Sequence, residues 1–175
     1  DYQPSRGLGD VYKRQENKVI KILKPILEDK SIKKIGQNIK FDFIILFKRG
    51  IEMNTIEDTM LMSYVLDAGK NRHNMDTLSE IHLSHKPISY KEIVGTGKKQ
   101  INFSEVDIKL AKDYAAEDAD ITYRLYKIFQ KNLKLEKLTN IYETFEKPLI
   151  KILALMEING VEICLLYTSD AADDD

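Results

Sequence analysis

Residues Lys112–Tyr123 read KDYAAEDADITY, and they set Asp113, Glu117, Asp118 and Asp120 within eight positions. Ala111, Ala115, Ala116 and Ala119 lie among them. Alanine is the strongest helix former, and its small side chain lets a helix pack closely. On a helix, residues four apart share a face. Tyr114 therefore stands beside Asp118, and Asp113 beside Glu117. A phenol and a carboxylate on one face can hold a metal-bound water between them. Taken alone, a Tyr-x-x-x-Asp spacing is ordinarily a solvated acidic face, so the surrounding chain has to give it meaning.

Upstream, Gly36–Asp42 reads GQNIKFD. Lys33–Gln37 suits a brief strand, and Asn38 stands where a helix N-cap belongs. Ile39–Arg49 reads as a helix with Phe41, Ile44, Ile45 and Phe47 largely buried, closed by Gly50 in a left-handed conformation. Asn38 and Asp42 then fall on one face. Before this block, Glu16–Leu27 has the apolar spacing of an amphipathic helix, interrupted or tightened near Pro25. After it, Ile51–Glu57 is a second short strand, and Asp58 caps a helix Thr59–Leu66. Another helix runs from Asn74 or Asp76 to about Leu83. Ser84–Ile101 is a long polar loop with one helical turn near Tyr90–Val94. Ser104–Asp107 offers a capping-box start for a helix to about Leu133, with a break near Asp113. Leu138–Asn159 is helical with a kink near Pro148, and Gly160 ends it. Tyr64, Tyr123 and Tyr126 read as core.

The chain has 175 residues, 43% of them hydrophobic and 31% charged, which is one domain with a packed core. A net charge of −1 exerts no general pull on nucleic acid, so any such site must be local. The single cysteine, Cys164, permits neither a disulfide nor a cysteine metal site. No apolar run approaches the roughly 18 residues of a membrane helix. A cytoplasmic protein, with no membrane partner and no partner copy, is expected. Both ends look foreign. Arg6–Gln15, RGLGDVYKRQ, matches the translation of a transposon-type sequencing adapter, and Cys164–Asp174, CLLYTSDAADD, matches its opposite strand in another frame. Residues 1–15 and 164–175 are therefore set aside as non-native flanks.

Four blocks occur in order: GQNIKFD, then EDTMLMSYVLD at Glu57–Asp67, RHNMDTLSE at Arg72–Glu80, and YAAEDADIT at Tyr114–Thr122. Together they closely resemble the 3′–5′ proofreading exonuclease domain of family A DNA polymerases, the bacterial polymerase I type. The resemblance covers nearly all of 16–163. It implies an α/β, ribonuclease H-like exonuclease fold, truncated at its N-terminus so that helices dominate, with the domain at 16–145. Phe145–Ile163, FEKPLIKILALMEINGVEI, resembles the passage into the polymerase domain, so 146–163 is expected to begin that connection. Asn38–Asp42 resembles the second exonuclease motif, and Tyr114–Asp118 the third in its tyrosine form.

The resemblance also implies two divalent ions, magnesium or manganese. Asp118 would hold the first and Asp42 the second through water, while Tyr114 orients the attacking water. Asn38 would support Asp42 or the substrate backbone. Arg72 is the candidate phosphate fork, Phe103 the aromatic near the frayed strand, and Lys98 a backbone contact. The expected partners are the 3′ end of single-stranded DNA and a polymerase domain in cis. One departure matters: the family's first motif, a strand-borne Asp-x-Glu, has no counterpart in this sequence. Truncation is the expected cause, and as it stands the chain is expected to be inactive. Two other readings stay open, a catalytically silent domain supporting a polymerase and a ribonuclease D-like RNA exonuclease.

Overall fold

The computed structural model describes residues 6–97 and 100–160, with side chains from Glu16 onward. Two short strands lie at its centre. β1 (Lys34–Gly36) pairs in parallel with β2 (Ile56–Asp58), Ile35 opposite Glu57. Parallel strands need a crossover, and α2 (Ile39–Phe47) supplies it. Side chains alternate across the pair. Ile35 and Glu57 meet one layer of helices, while Ile56 meets the other.

The first layer is α3 (Thr59–Asp67), α4 (Met75–Leu83) and α6 (Ile108–Leu135). Met62, Leu78, Ile121, Leu125, Phe129 and Leu133 form its buried cluster, which Ile35 joins. The periodicity of α6 explains this: Ile121, Leu125 and Phe129 repeat every fourth residue on one face. The second layer packs α2 on α8 (Lys147–Asn159), burying Ile39, Phe43, Ile56, Ile150 and Ala154 together. The segment expected to begin a connection is thus folded against α2. In sequence between α4 and α6, α5 (Tyr90–Val94) sits in the long loop, and α7 (Thr139–Ile141) leads through one wider π turn, Tyr142–Glu146, into α8. The domain is α/β and mostly helical, as the family resemblance implies for a ribonuclease H-like exonuclease.

Several details differ from the sequence reading. The first helix, α1, spans Arg6–Glu28, not Glu16–Leu27, and runs through Pro25. The second strand is only Ile56–Asp58, because Thr55 has a φ of 52° and breaks the extended run. On α2 the buried positions are Ile39 and Phe43, one turn apart, which face α8; Phe41, Ile45 and Phe47 are exposed. Tyr126 is core, but Tyr64 and Tyr123 are exposed. The helix α6 is unbroken at Asp113 and starts from Asp107, whose Oδ1 accepts the Lys109 N–H; Phe103–Glu105 is a separate 3₁₀ turn. The flank at 164–175 lies outside the described residues.

One buried acid ties these elements together. Asp58 is 1% exposed. Its Oδ1 accepts the N–H groups of Asn38 and Met60, at 3.0 and 2.9 Å, and its Oδ2 accepts that of Ile39 at 3.0 Å. It therefore caps both α2 and α3, each of which opens with unsatisfied donors. Its own N–H donates to the Tyr142 hydroxyl, which donates to Glu57 Oε2, each at 3.0 Å. Lys147 completes the network on Glu57 Oε1 at 2.9 Å. Losing one cap costs up to about 2 kcal/mol, so Asp58→Ala should destabilise the fold by about 2–4 kcal/mol. Urea unfolding followed by circular dichroism would measure it.

Candidate active site

Asp42 rises from the first turn of α2, and Asp118 from the middle of α6, which packs on β1. Both line one open cleft of about 340 Å³ at the end of β1, with Gly36, Gln37, Met75 and Thr122. Strand and helix can approach this closely because residue 36 is glycine: a Cβ there would come within 2.9 Å of Ile39. The two acids are far apart in sequence, and the fold brings them to one place.

The electrostatics follow from that position. Burial raises the pKa of Asp42, although the residue keeps one side in solvent, so water moderates the effect. Burial also raises Asp118, with the negative charges of Glu117 and Asp76 adding to it; the Tyr114 hydroxyl acts in the opposite direction. Desolvation, more than repulsion between carboxylates, is thus the main cause at both acids. Asp118 Oδ1 is buried and, among the described residues, has no hydrogen-bond partner. Tyr114 is pushed up to about 12, by burial first and then by the neighbouring Asp118 carboxylate. At neutral pH it is a fully protonated phenol one turn before that carboxylate on α6.

Tyr114, one turn before Asp118 on α6, does not line that cleft but belongs to an aromatic cluster with Tyr90 and Phe103. Tyr90 and Phe103 stack with centroids 6.1 Å apart and planes at 19°, and both rings lie obliquely against Tyr114 at 6.3 and 6.1 Å. Phe103 and Tyr90 are exposed. Phe103 was identifiable from the sequence; Tyr90 was not, because only the folded loop stacks it on Phe103. Asp76 was missed too. It opens α4, and nothing in its spacing distinguishes it from an ordinary first-turn acid.

Asn38 corrects the sequence reading. It precedes the helix in a left-handed conformation (φ 57°, ψ 46°), its side chain caps nothing, and Asp58 does the capping. The same-face argument needs both residues to be helical, so it no longer places Asn38 beside Asp42. Asn38 instead lines a separate cleft of about 200 Å³ with Lys40, Met60 and Leu149. Arg72 is exposed in the loop before α4 and does not line the Asp42–Asp118 cleft. His73 packs, with Nδ1 at 2.8 Å from Ser63 Oγ and its ring edge-on to Tyr64. Asp113 pairs with Lys112, and Asp120 with Arg124. Lys98 lies outside the described residues.

A magnesium or manganese ion wants oxygen ligands. Asp42 and Asp118 supply carboxylates to one cleft, and the unpartnered Asp118 oxygen is the kind of atom a cation satisfies. Among the described residues, no group of three or more His, Cys, Asp or Glu side chains is placed to hold a metal ion. The donor set suits a hard cation but is only a pair. Among the described residues, no helix is long and apolar enough to cross a membrane.

A model of the 3′–5′ exonuclease family matches residues 7–134, a span that starts ahead of Glu16. The DNA polymerase I of Rhizobium leguminosarum is 49% identical over 141 residues, covering 81% of this chain and 14% of that protein. The DNA polymerase I of Pseudomonas aeruginosa is 40% identical over 146 residues, covering 81% of this chain and 16% of its own length. That of Borreliella burgdorferi is 36% identical over 161 residues, covering 91% and 17%. The chain thus spans 14–17% of the length of these three relatives. The exonuclease family is in general divalent-metal dependent.

The raised pKa of Asp118 has a thermodynamic consequence. An acid raised in the folded state opposes folding above that pKa, and the penalty vanishes below the unfolded value of about 4. Asp118→Asn keeps the size of the side chain and removes the charge. The variant should therefore melt higher than the parent chain at pH 7 without metal, and the gain should disappear as the pH falls below about 4. Thermal unfolding across that range checks it.

Proposed function

The chain belongs to the 3′–5′ exonuclease family, and on that premise we propose that it is the proofreading exonuclease portion of a DNA polymerase I, acting on the 3′ end of single-stranded DNA. The observation that carries this reading is the meeting of Asp42 and Asp118 in one cleft, with Tyr114 one turn before Asp118 on α6. Asp118 would hold a first divalent ion directly, and Asp42 a second through water. Ions bound there supply polarisation of the phosphodiester, ionisation of the attacking water and stabilisation of the leaving oxygen.

The remaining work belongs to side chains. The reaction adds a water oxygen to the terminal phosphorus and breaks the bond to the 3′ oxygen, which leaves with a proton. Tyr114, protonated at neutral pH and one turn from Asp118, would orient the attacking water with its hydroxyl. Phe103 and Tyr90 present ring faces on which an unpaired base can stack. Arg72 and Lys98 are retained as phosphate contacts on the resemblance alone. Asn38, which borders another cleft, is retained on the same ground as a substrate contact. A polymerase domain in cis, a monomeric state and a cytoplasmic setting complete the proposal. The exonuclease unit is placed at 16–145, with 146–163 leading onward.

The sequence has no Asp-x-Glu counterpart to the family's first motif, so this chain should be a poor nuclease. Asp42 and Asp118 alone would bind magnesium weakly, because the ion would keep most of its waters. The assay is release of mononucleotides from an end-labelled single strand with magnesium or manganese. We expect little release from the chain as it stands, and strong release from a longer chain carrying an upstream Asp-x-Glu strand. In that longer chain Asp118→Ala should abolish release, and Tyr114→Phe should slow it at nearly unchanged metal affinity. Strong release by the present chain that depends on Asp118 would refute the assignment of the missing motif.

A further inference from the structure

Glu117 neighbours Asp118 in sequence, but its carboxylate serves a different segment. Its Oε1 lies 2.8 Å from His85 Nε2, and its Oε2 accepts the Ile88 N–H at 2.7 Å. The chain on either side of those contacts is already anchored. Ser79 Oγ, on α4, donates to the His85 carbonyl at 2.8 Å, and Pro87 is buried. Ser89 and Glu92 cap α5 reciprocally, which delivers Tyr90 as its first residue. Val94 is buried at the far end, and its carbonyl accepts the Ile101 N–H at 2.9 Å. Tyr90 and Phe103 then rest on each other and on Tyr114.

We propose that Glu117 is a positioning residue: by holding His85 and Ile88 it straps residues 85–94 onto α6 and keeps the Tyr90–Phe103–Tyr114 cluster assembled one turn from Asp118, so that strap release controls access of a single-strand 3′ end. The proposal rests on the exonuclease reading. A carboxylate bound to a backbone N–H makes a strong, charge-assisted contact. In the pair with His85 the side chains are 47% and 21% exposed, and such partly exposed pairs contribute little to global stability. Release of the strap would therefore be a local opening beside the packed α4–α6 pair. Its state matters because stacking of one base on an aromatic ring changes affinity by roughly five- to a hundredfold.

The test uses the 175-residue chain in EDTA, so that no cleavage intrudes. Amide hydrogen exchange is followed at Ile88 and, as an internal control, at Leu125 and Phe129. Affinity for a fluorescein-labelled oligothymidylate is read by anisotropy. Glu117→Ala should speed Ile88 exchange by about tenfold or more, leave the two control amides unchanged, and weaken oligothymidylate binding by about tenfold. Glu117→Gln keeps an acceptor oxygen for Ile88 and should restore most of both. Unchanged Ile88 exchange in Glu117→Ala would overturn the strap. Released Ile88 with unchanged affinity would overturn its control of access. If the wild-type chain fails to bind oligothymidylate, the exonuclease reading and the access role both fail, while Ile88 exchange still decides the strap.

Discussion

The Asp58 carboxylate is the constraint on which the site depends. A charge this deeply buried is costly unless nearly all of its lone pairs are satisfied. Here the donors come from two helix starts, whose free N–H groups and positive dipole ends suit an anion. Burial still raises the Asp58 pKa, against the lowering effect of those N–H bonds. Because one carboxylate serves both starts, α2 and α3 leave the strand pair in a fixed relation. Asn38 is held in a left-handed turn, a conformation asparagine tolerates better than most residues. The Tyr142 hydroxyl on the Asp58 N–H extends the same relation to the π turn and α8, which backs α2 through Ile150 and Ala154. Asp42, on the first turn of α2, inherits its position from this arrangement.

The opposite wall of the cleft has another origin. It is built by α6, whose apolar face is buried on α3 and α4, so that Asp118 is carried on a helix with little freedom to shift. Two rigid helices thus present two acids across the end of β1, and Gly36 leaves room for the approach. The unpartnered, buried Asp118 oxygen runs against the rule that buried polar atoms are satisfied. Such departures from local optimality concentrate where a ligand supplies what the protein withholds.

Much of this was legible in the chain. The helix starts at Asp58 and Tyr90, the short strand at Lys34–Gly36 and the stops at Gly50 and Gly160 follow from local rules, because each depends on residues close in sequence. The pairing of Asp42 with Asp118 does not follow from such rules; it was reached through the resemblance of whole blocks. What escaped was set by tertiary context. Thr55 adopts a left-handed turn while its hydroxyl donates to the Lys30 carbonyl, and no propensity marks it. Which apolar residues of α2 are buried depends on where α8 lies, and an almost wholly apolar helix gives no clue. Asn38 looked like a cap, yet Asp58, twenty residues on, does the capping. Glu117 read as a surface acid, and its two partners come from a loop whose path only the fold defines.

The central claim is that Asp42 and Asp118 form one cation-binding cleft. Paramagnetic broadening by manganese, titrated into the isotopically labelled chain, tests it most directly. The account predicts that amide signals of Gly36, Gln37, Asp42, Asp118 and Thr122 broaden first and together, and that Asp118→Asn removes the effect. Broadening centred on another acidic region, such as Asp67 and Glu136 at the far end of α3, with Gly36 and Thr122 unaffected, would contradict it.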